Sequence, residues 1–68
     1  MMSLTVYSGF KIKSIVDGTL FRARVIRGDG AEFQVNGKAV QVWETPQYMD
    51  GQTAVGQAIY AIDSGKLK

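Results

Sequence analysis

The chain has 68 residues, a formal net charge of +2 and an isoelectric point near 9.2, and it contains neither cysteine nor histidine. This length predicts a single small domain over residues 1–68, which buries only about 60% of its unfolded surface. The absence of cysteine excludes a disulfide framework and a cysteine zinc site, and the absence of histidine removes the commonest metal ligand and general base.

The first predicted hairpin joins two strands across Asp17-Gly18. Residues 10–14 alternate between apolar and polar side chains, which is typical of a half-buried strand. An Asp-Gly pair favours a two-residue hairpin loop, because it accepts the positive φ values that such a loop requires. This loop sets Lys13 opposite Arg22 and gathers the apolar side chains of both strands on one face. Residues 4–7 are predicted to extend the first strand backwards across a bulge.

Two further turns are predicted to continue the sheet. Gly28-Asp29-Gly30 is expected to form a three-residue loop with Gly30 in the left-handed conformation. The alternative two-residue loop would turn Phe33 away from the core face, so burial favours the longer loop. Asn36-Gly37 is the strongest turn signal in the chain and predicts a tight hairpin. The strand that contains Phe33 is therefore expected to pair with the strand that contains Val25.

A single helix is predicted after Thr45-Pro46, a pair that ends the last strand. Asp50 is a suitable N-cap residue, and Gly65 is suitable for the C-terminal end. Between them an apolar stripe recurs at helical spacing, formed by Ala54, Val55, Ala58, Ile59 and Ile62. The predicted fold is α+β: a four-stranded, or three-stranded, antiparallel β-meander with one C-terminal α-helix packed on one face.

The predicted order of strands followed by a helix resembles, in architecture, the amino-terminal arm-binding domains of phage-type tyrosine integrases. The resemblance implies a sheet backed by a helix, which those domains use to read DNA. It covers the order of elements and no residue-level motif, so it raises the expectation of DNA contact without assigning a site.

The predicted outer face of the sheet, away from the helix, carries a cluster of cationic side chains. Like charges on neighbouring strands repel, so the cluster requires neutralising carboxylates or an anionic partner. Phosphate backbones bind such patches through counterion release. We therefore predict a small non-enzymatic binding module that prefers nucleic acid, with contacts from Lys11, Lys13, Arg22, Arg24, Arg27 at the rim, and Trp43 as a stacking residue. The simpler alternative is that these side chains only cover the sheet and extend into water.

Apolar side chains are predicted on the same outer face, namely Ile15, Leu20, Ile26 and Trp43. A contiguous apolar patch on a small domain usually marks a contact site. The alternative function is therefore a structural or protein-interaction module that forms a homodimer through this face. A further alternative is that the N-terminal segment or the turn at Pro46 covers Trp43.

The remaining function classes receive little support. No apolar run approaches the roughly 20 residues of a membrane span, and no signal-peptide pattern opens the chain. A cysteine-free composition is compatible with a reducing compartment, so a cytoplasmic location is expected. The carboxylates are explained by turns or lie scattered, and no serine has an activating partner. We therefore expect no catalytic residue, metal, cofactor or small-molecule substrate.

Overall fold

The computed structural model describes residues 4–68 and confirms the predicted α+β class. The elements in chain order are the strands β1 (Leu4–Tyr7), β2 (Phe10–Asp17), β3 (Leu20–Arg27), β4 (Phe33–Val35), β5 (Lys38–Val40) and β6 (Trp43–Glu44) and the helix α1 (Gly51–Asp63). The main sheet is antiparallel, with the spatial order β1-β2-β3-β6, and β4 and β5 form a separate hairpin. The predicted domain limits include residues 1–3, which lie outside the described part of the chain.

The segment before β2 is a strand in its own right rather than an extension of β2. Ser8 and Gly9 take φ values of 53° and 84°. Two successive positive φ values are typical of a type I′ hairpin loop. The chain therefore reverses at this loop, and β1 pairs antiparallel with β2 along its whole length. The prediction that a bulge joins residues 4–7 to β2 is therefore wrong.

The loop between β2 and β3 lies one residue later than predicted, at Gly18-Thr19. Gly18 has a φ of 70° and Thr19 has no positive φ, which matches a type II′ loop with glycine first. The register is shifted by two residues, so Lys13 pairs with Arg24 and the predicted pairing with Arg22 is wrong. A shift of two leaves every side chain on its predicted face, because side chains alternate with a period of two.

The strand β4 does not join β3 as predicted. The tight hairpin at Asn36-Gly37 is confirmed, with φ values of 53° and 82°, and it joins β4 to β5. Gly30 has the predicted left-handed conformation (φ 76°), but the chain after it leaves the main sheet. Phe33 is instead buried against Phe10, with the two ring centroids 5.3 Å apart and the ring planes at 85°.

The segment 43–48 takes the place beside β3. Trp43 pairs with Val25. The Thr45 N–H donates to the Ala23 carbonyl, and the Ala23 N–H donates to Thr45 Oγ1, both at 2.9 Å. Thr45 is fully buried, and a buried N–H group needs a hydrogen-bond acceptor. The Thr45 hydroxyl supplies this acceptor for the Ala23 N–H, in the place of a carbonyl from a neighbouring strand.

The helix α1 begins and ends as predicted. Asp50 Oδ1 accepts a hydrogen bond of 2.7 Å from the Thr53 N–H, and this bond holds the pKa of Asp50 below its ordinary value. Gly65 has a φ of 82°, and the N–H groups of Gly65 and Lys66 donate to carbonyls in the last turn, which is the Schellman pattern. Within residues 4–68, no helix has the length and apolar character needed to cross a membrane.

The core lies between α1 and one face of the main sheet, which we name the inner face. The helix packs on β2 and β3. The buried apolar residues are Phe10, Ile12, Ala23, Val25, Phe33, Ala54, Ala58, Ala61, Ile62 and Leu67. The helix α1, the β4–β5 hairpin and the segment after α1 all contribute residues to this core, on the same side of the main sheet. Among residues 4–68, no element remains to form a second layer on the opposite face.

Two contacts tie the last residues to earlier strands. The Tyr7 hydroxyl shares a hydrogen bond between the two Asp63 carboxylate oxygens, at 2.8 and 2.9 Å, and this bond raises the pKa of Tyr7. Leu67 is buried, and the Lys68 N–H donates to the Gln34 carbonyl at 2.9 Å. The helix end is therefore fixed to β1, and the segment after it is fixed to β4.

Candidate binding face of the sheet

The outer face is the surface of the main sheet opposite α1. Cross-strand pairs determine which residues belong to it, because directly opposed residues point to the same side. Its members are Leu4, Val6, Lys11, Lys13, Ile15, Asp17, Leu20, Arg22, Arg24, Ile26 and Glu44. The face therefore combines four cations, two carboxylates and five aliphatic side chains.

The four predicted cations share this face, in a different arrangement from the one expected. Lys13 lies directly opposite Arg24, whereas Lys11 faces Ile26 across the β2–β3 ladder. The sheet therefore has one directly opposed pair of like charges between these strands, whereas the predicted register would give two, Lys13 with Arg22 and Lys11 with Arg24. The remaining cations are diagonal neighbours, at which repulsion is weaker because the separation is larger.

Both arginines of the face have carboxylate partners. Arg22 Nε donates to Asp17 Oδ2 at 2.6 Å. Arg24 Nε donates to Glu44 Oε2 at 2.8 Å, and Arg24 Nη2 lies 2.7 Å from the same oxygen. Gln47 also donates to Asp17 Oδ2 at 2.8 Å. The hydrogen bond from Arg22, and after it the one from Gln47, lowers the pKa of Asp17. The β3 side of the face is therefore largely neutralised.

The two lysines differ from the arginines. Neither Lys11 nor Lys13 forms a salt bridge with any residue among 4–68, and both are half-buried between neighbouring side chains. Their ammonium groups each offer three donors and carry a compact charge. The uncompensated positive charge of the outer face thus lies on β2.

Two of the predicted contact residues lie on the other side of the sheet: the predicted outer-face position of Trp43 is wrong, and Arg27, predicted at the rim, belongs to the inner face. Arg27 pairs with Phe10 on the inner face, and its guanidinium lies 5.5 Å from the centroid of the Phe10 ring. Trp43 pairs with the buried Val25, so it also lies on the inner face, and Lys66 Nζ lies 5.3 Å from the centroid of its ring. Trp43 is half-buried and packs against the core. It therefore cannot contact a ligand bound on the outer face.

The aliphatic part of the face is larger than predicted. Ile15, Leu20 and Ile26 lie where they were expected. Leu4 and Val6 are additional members, with 54% and 67% of their surfaces exposed. Sequence reasoning missed these two because it treated residues 4–7 as an extension of β2, although the alternation of Leu-Thr-Val-Tyr gives the signal.

The outer face has the chemistry of a contact surface. It offers cationic donors that suit phosphate or carboxylate groups and aliphatic side chains that suit an apolar partner. Within residues 4–68, no three side chains of the metal-binding types come close enough together to hold a metal ion.

Comparison with protein-family models, with curated protein sequences and with solved structures found no match. The architectural resemblance to integrase arm-binding domains therefore rests on the order of elements alone.

Proposed function

We propose that this protein is a small non-enzymatic binding module whose outer face contacts an acidic partner, with nucleic acid as the preferred candidate. The observation that carries the proposal is the register of β2 and β3, which sets Lys13 directly opposite Arg24 on an uncovered face. Opposed like charges are destabilising, and Glu44 already pairs with Arg24, so the charge that lacks a partner within residues 4–68 is that of Lys13. An anionic partner would pair with Lys13, and Lys11 would add a further contact beside it.

The arginines can contribute although each is paired in the free protein. An exposed ion pair such as Arg24–Glu44 typically contributes only ~0.2–1 kcal/mol. A phosphate offers the guanidinium the same planar, two-point contact as a carboxylate. Exchange of the Glu44 carboxylate for a phosphate therefore changes the free energy of the Arg24 ion pair little. The counterions released from the nucleic acid then favour the complex.

The proposal predicts a strong dependence on salt. Four phosphate contacts should lower the affinity on the order of 100-fold between about 50 and 200 mM salt. Titration of labelled random-sequence duplex DNA at these two concentrations, followed by fluorescence anisotropy, measures this change. Absence of binding at the lower concentration would eliminate the proposal.

A matched pair of variants tests the site. Lys13→Glu and Lys38→Glu change the net charge equally, but Lys38 lies on β5, outside the outer face. We expect Lys13→Glu to abolish duplex binding and Lys38→Glu to leave most of it. An equal loss in both variants would mean that the duplex responds to net charge and not to this face.

The second candidate function is self-association through the same face. Leu4 and Val6 are both more than half exposed and are neighbours on the outer face of β1, with Lys13 and Lys11 as their cross-strand partners on β2. Contact with another chain would bury these two exposed aliphatic side chains. Association of this kind should persist in salt, because burial of apolar area is not screened.

Two valines provide the matched test of self-association. Val6 lies on the outer face and Val16 on the inner side near the loop, and they are 67% and 72% exposed. If the outer face forms a homodimer, light scattering should give twice the monomer mass at 200 mM salt. Val6→Ser should then return the protein to the monomer, whereas Val16→Ser should not. A monomer at all concentrations would exclude this candidate.

A further inference from the structure

A groove with aromatic walls lies between α1 and the segment 43–48. The groove has a volume of about 220 Å³. We name it the aromatic groove after its aromatic lining residues, Trp43, Tyr48 and Tyr60. Tyr60 is 69% exposed, and Trp43 and Tyr48 are half-buried. The fold therefore holds Trp43 and Tyr48 in place, and the exposed Tyr60 leaves the groove accessible to a ligand.

A second cavity, of about 320 Å³, lies at the neighbouring end of the β4–β5 hairpin. Its lining includes Gln34, Asn36, Lys66 and Lys68, which we name the lysine pocket. Lys66 lines both cavities, so the aromatic groove and the lysine pocket adjoin each other at this residue. The residues that line the two cavities include two lysines and no aspartate or glutamate, which makes the combined surface attractive to an anion.

The fold fixes the backbone positions of the two lysines. The Schellman turn at Gly65 directs the chain away from α1 and across the end of β4. Leu67 is buried and bridges to Val35, so the residues on either side of it are exposed together. The Lys68 N–H bond to the Gln34 carbonyl holds this arrangement.

We propose that the aromatic groove and the lysine pocket together bind single-stranded nucleic acid, with an unstacked base against the rings and a backbone phosphate at Lys66 and Lys68. Aromatic side chains beside cationic groups are the usual means of binding single strands, because every base has a face that can stack. The bases of a duplex are already stacked on one another, so a duplex cannot use the groove. This proposal does not rest on the one made for the outer face, since the two surfaces share no residue.

The contact between Lys66 and Trp43 is compatible with this role. The ammonium of Lys66 lies 5.3 Å from the centroid of the Trp43 ring in the free protein. Stacking of a base on an aromatic ring is generally stronger than an exposed cation–π contact. A base can therefore displace the ammonium from the ring, and the displaced Lys66 can then pair with the adjoining phosphate.

The single tryptophan of the chain makes the test direct. Titration with an oligothymidylate of about ten nucleotides, a length within the usual site sizes, should quench the emission of Trp43 in a saturable manner at 50 mM salt. A duplex of the same length should quench it at least about tenfold more weakly. No quenching by the single strand, or equal quenching by the duplex, would overturn the proposal.

Variants on the two surfaces separate this proposal from the one for the outer face. Lys68→Glu should weaken single-strand binding about tenfold and leave duplex binding intact, whereas Lys13→Glu should do the reverse. Tyr60→Ala should weaken single-strand binding about tenfold or more through lost stacking, and circular dichroism should show that this exposed substitution leaves the fold unchanged. An equal effect of Lys13→Glu and Lys68→Glu on the oligothymidylate would overturn the proposal. Saturable quenching by a proline-rich peptide instead of the oligonucleotide would do the same, because aromatic grooves also bind such peptides.

Discussion

The inner and outer faces of the main sheet are formed by alternate residues of the same strands, yet they have different chemistry. Ile12 and Val25 oppose each other on the inner face, and both are fully buried. One residue further along β2, Lys13 and Arg24 oppose each other on the outer face. The first pair stabilises the fold by leaving water, whereas the second is only partly buried and brings two like charges together. The comparison teaches that stability depends on one face and leaves the other available for contacts.

Truncation of Phe33, which packs from β4 onto Phe10 of the inner face, should give the largest effect that distinguishes the two sides of the main sheet. Phe33 is 2% exposed, and its ring packs edge to face on Phe10. Phe33→Ala should lower the free energy of unfolding by about 3–5 kcal/mol, which approaches the whole stability of a small domain. The corresponding truncation on the outer face, Leu4→Ala, should change it by less than about 0.5 kcal/mol. Urea unfolding measures both, and a comparable loss in the two variants would break the distinction.

Removal of the buried Thr45 hydroxyl should be the next largest effect. Thr45→Val keeps the shape of the side chain but leaves the Ala23 N–H without its acceptor. An unsatisfied buried donor costs about 1–3 kcal/mol. Thr45→Ser retains the hydroxyl and serves as the control in the same urea experiment. If valine is tolerated as well as serine, the hydroxyl does not hold β6 against β3.

Two glycines of α1 lie on different sides of the helix, Gly51 against the sheet and Gly56 toward solvent. A Cβ at Gly56 would meet open space, so Gly56→Ala should raise the free energy of unfolding by about 1 kcal/mol. A Cβ at Gly51 would lie 3.1 Å from Ser14 Oγ, so Gly51→Ala should bring no such gain. Thermal unfolding of the two variants measures the difference. A loss of stability in Gly56→Ala would indicate a neighbour at that site.

The smallest expected effect concerns Asp17 and the pH. Its pKa is lowered in the folded protein by the hydrogen bond from Arg22 and then by the one from Gln47. A carboxylate of this kind stabilises the fold above its unfolded pKa and loses that contribution as the pH falls through its folded pKa. Asp17→Asn should therefore lower Tm slightly at pH 7 and leave it unchanged near pH 2. A difference in Tm that persists at the lower pH would contradict this account.

The same substitution should strengthen the outer face as a site for anions. Asp17→Asn removes a negative charge from the face and releases Arg22 from its ion pair. We expect duplex DNA to bind more tightly to this variant at low salt. Asp29→Asn changes the net charge equally but lies in the loop after β3, outside the face. Equal gains in the two variants would show that position on the sheet has no influence.

Short-range patterns predict the parts of this fold that short-range chemistry determines. The hairpin at Asn36-Gly37 and the cap at Asp50 are confirmed, because each depends on residues only a few positions apart. The grouping of four cations on one face is also correct, although the register is shifted. A shift by an even number of residues preserves the face, so alternation alone cannot detect it.

Sequence patterns fail where the pairing is non-local. The neighbour of β3 is selected by Thr45, whose hydroxyl reaches Ala23 across 22 positions of sequence, and no local pattern carries that information. Trp43 was expected outside because the alternation of β5 was continued into it, but the strand is interrupted before β6. Arg27 could have been placed on the inner face by counting in twos from Val25.

The hydrogen bond between Tyr7 and Asp63 joins residues 56 positions apart, and this separation has a kinetic consequence. The conformational entropy of closing so long a loop must be lost before the contact compensates for it. Chains dominated by such distant pairings fold in about milliseconds to seconds, whereas small helical bundles need only microseconds to milliseconds. In this chain the strand contacts lie mostly between hairpin neighbours, β1 with β2 and β2 with β3, so the hairpins are expected to form first and the docking of α1 onto β1 is expected among the late events.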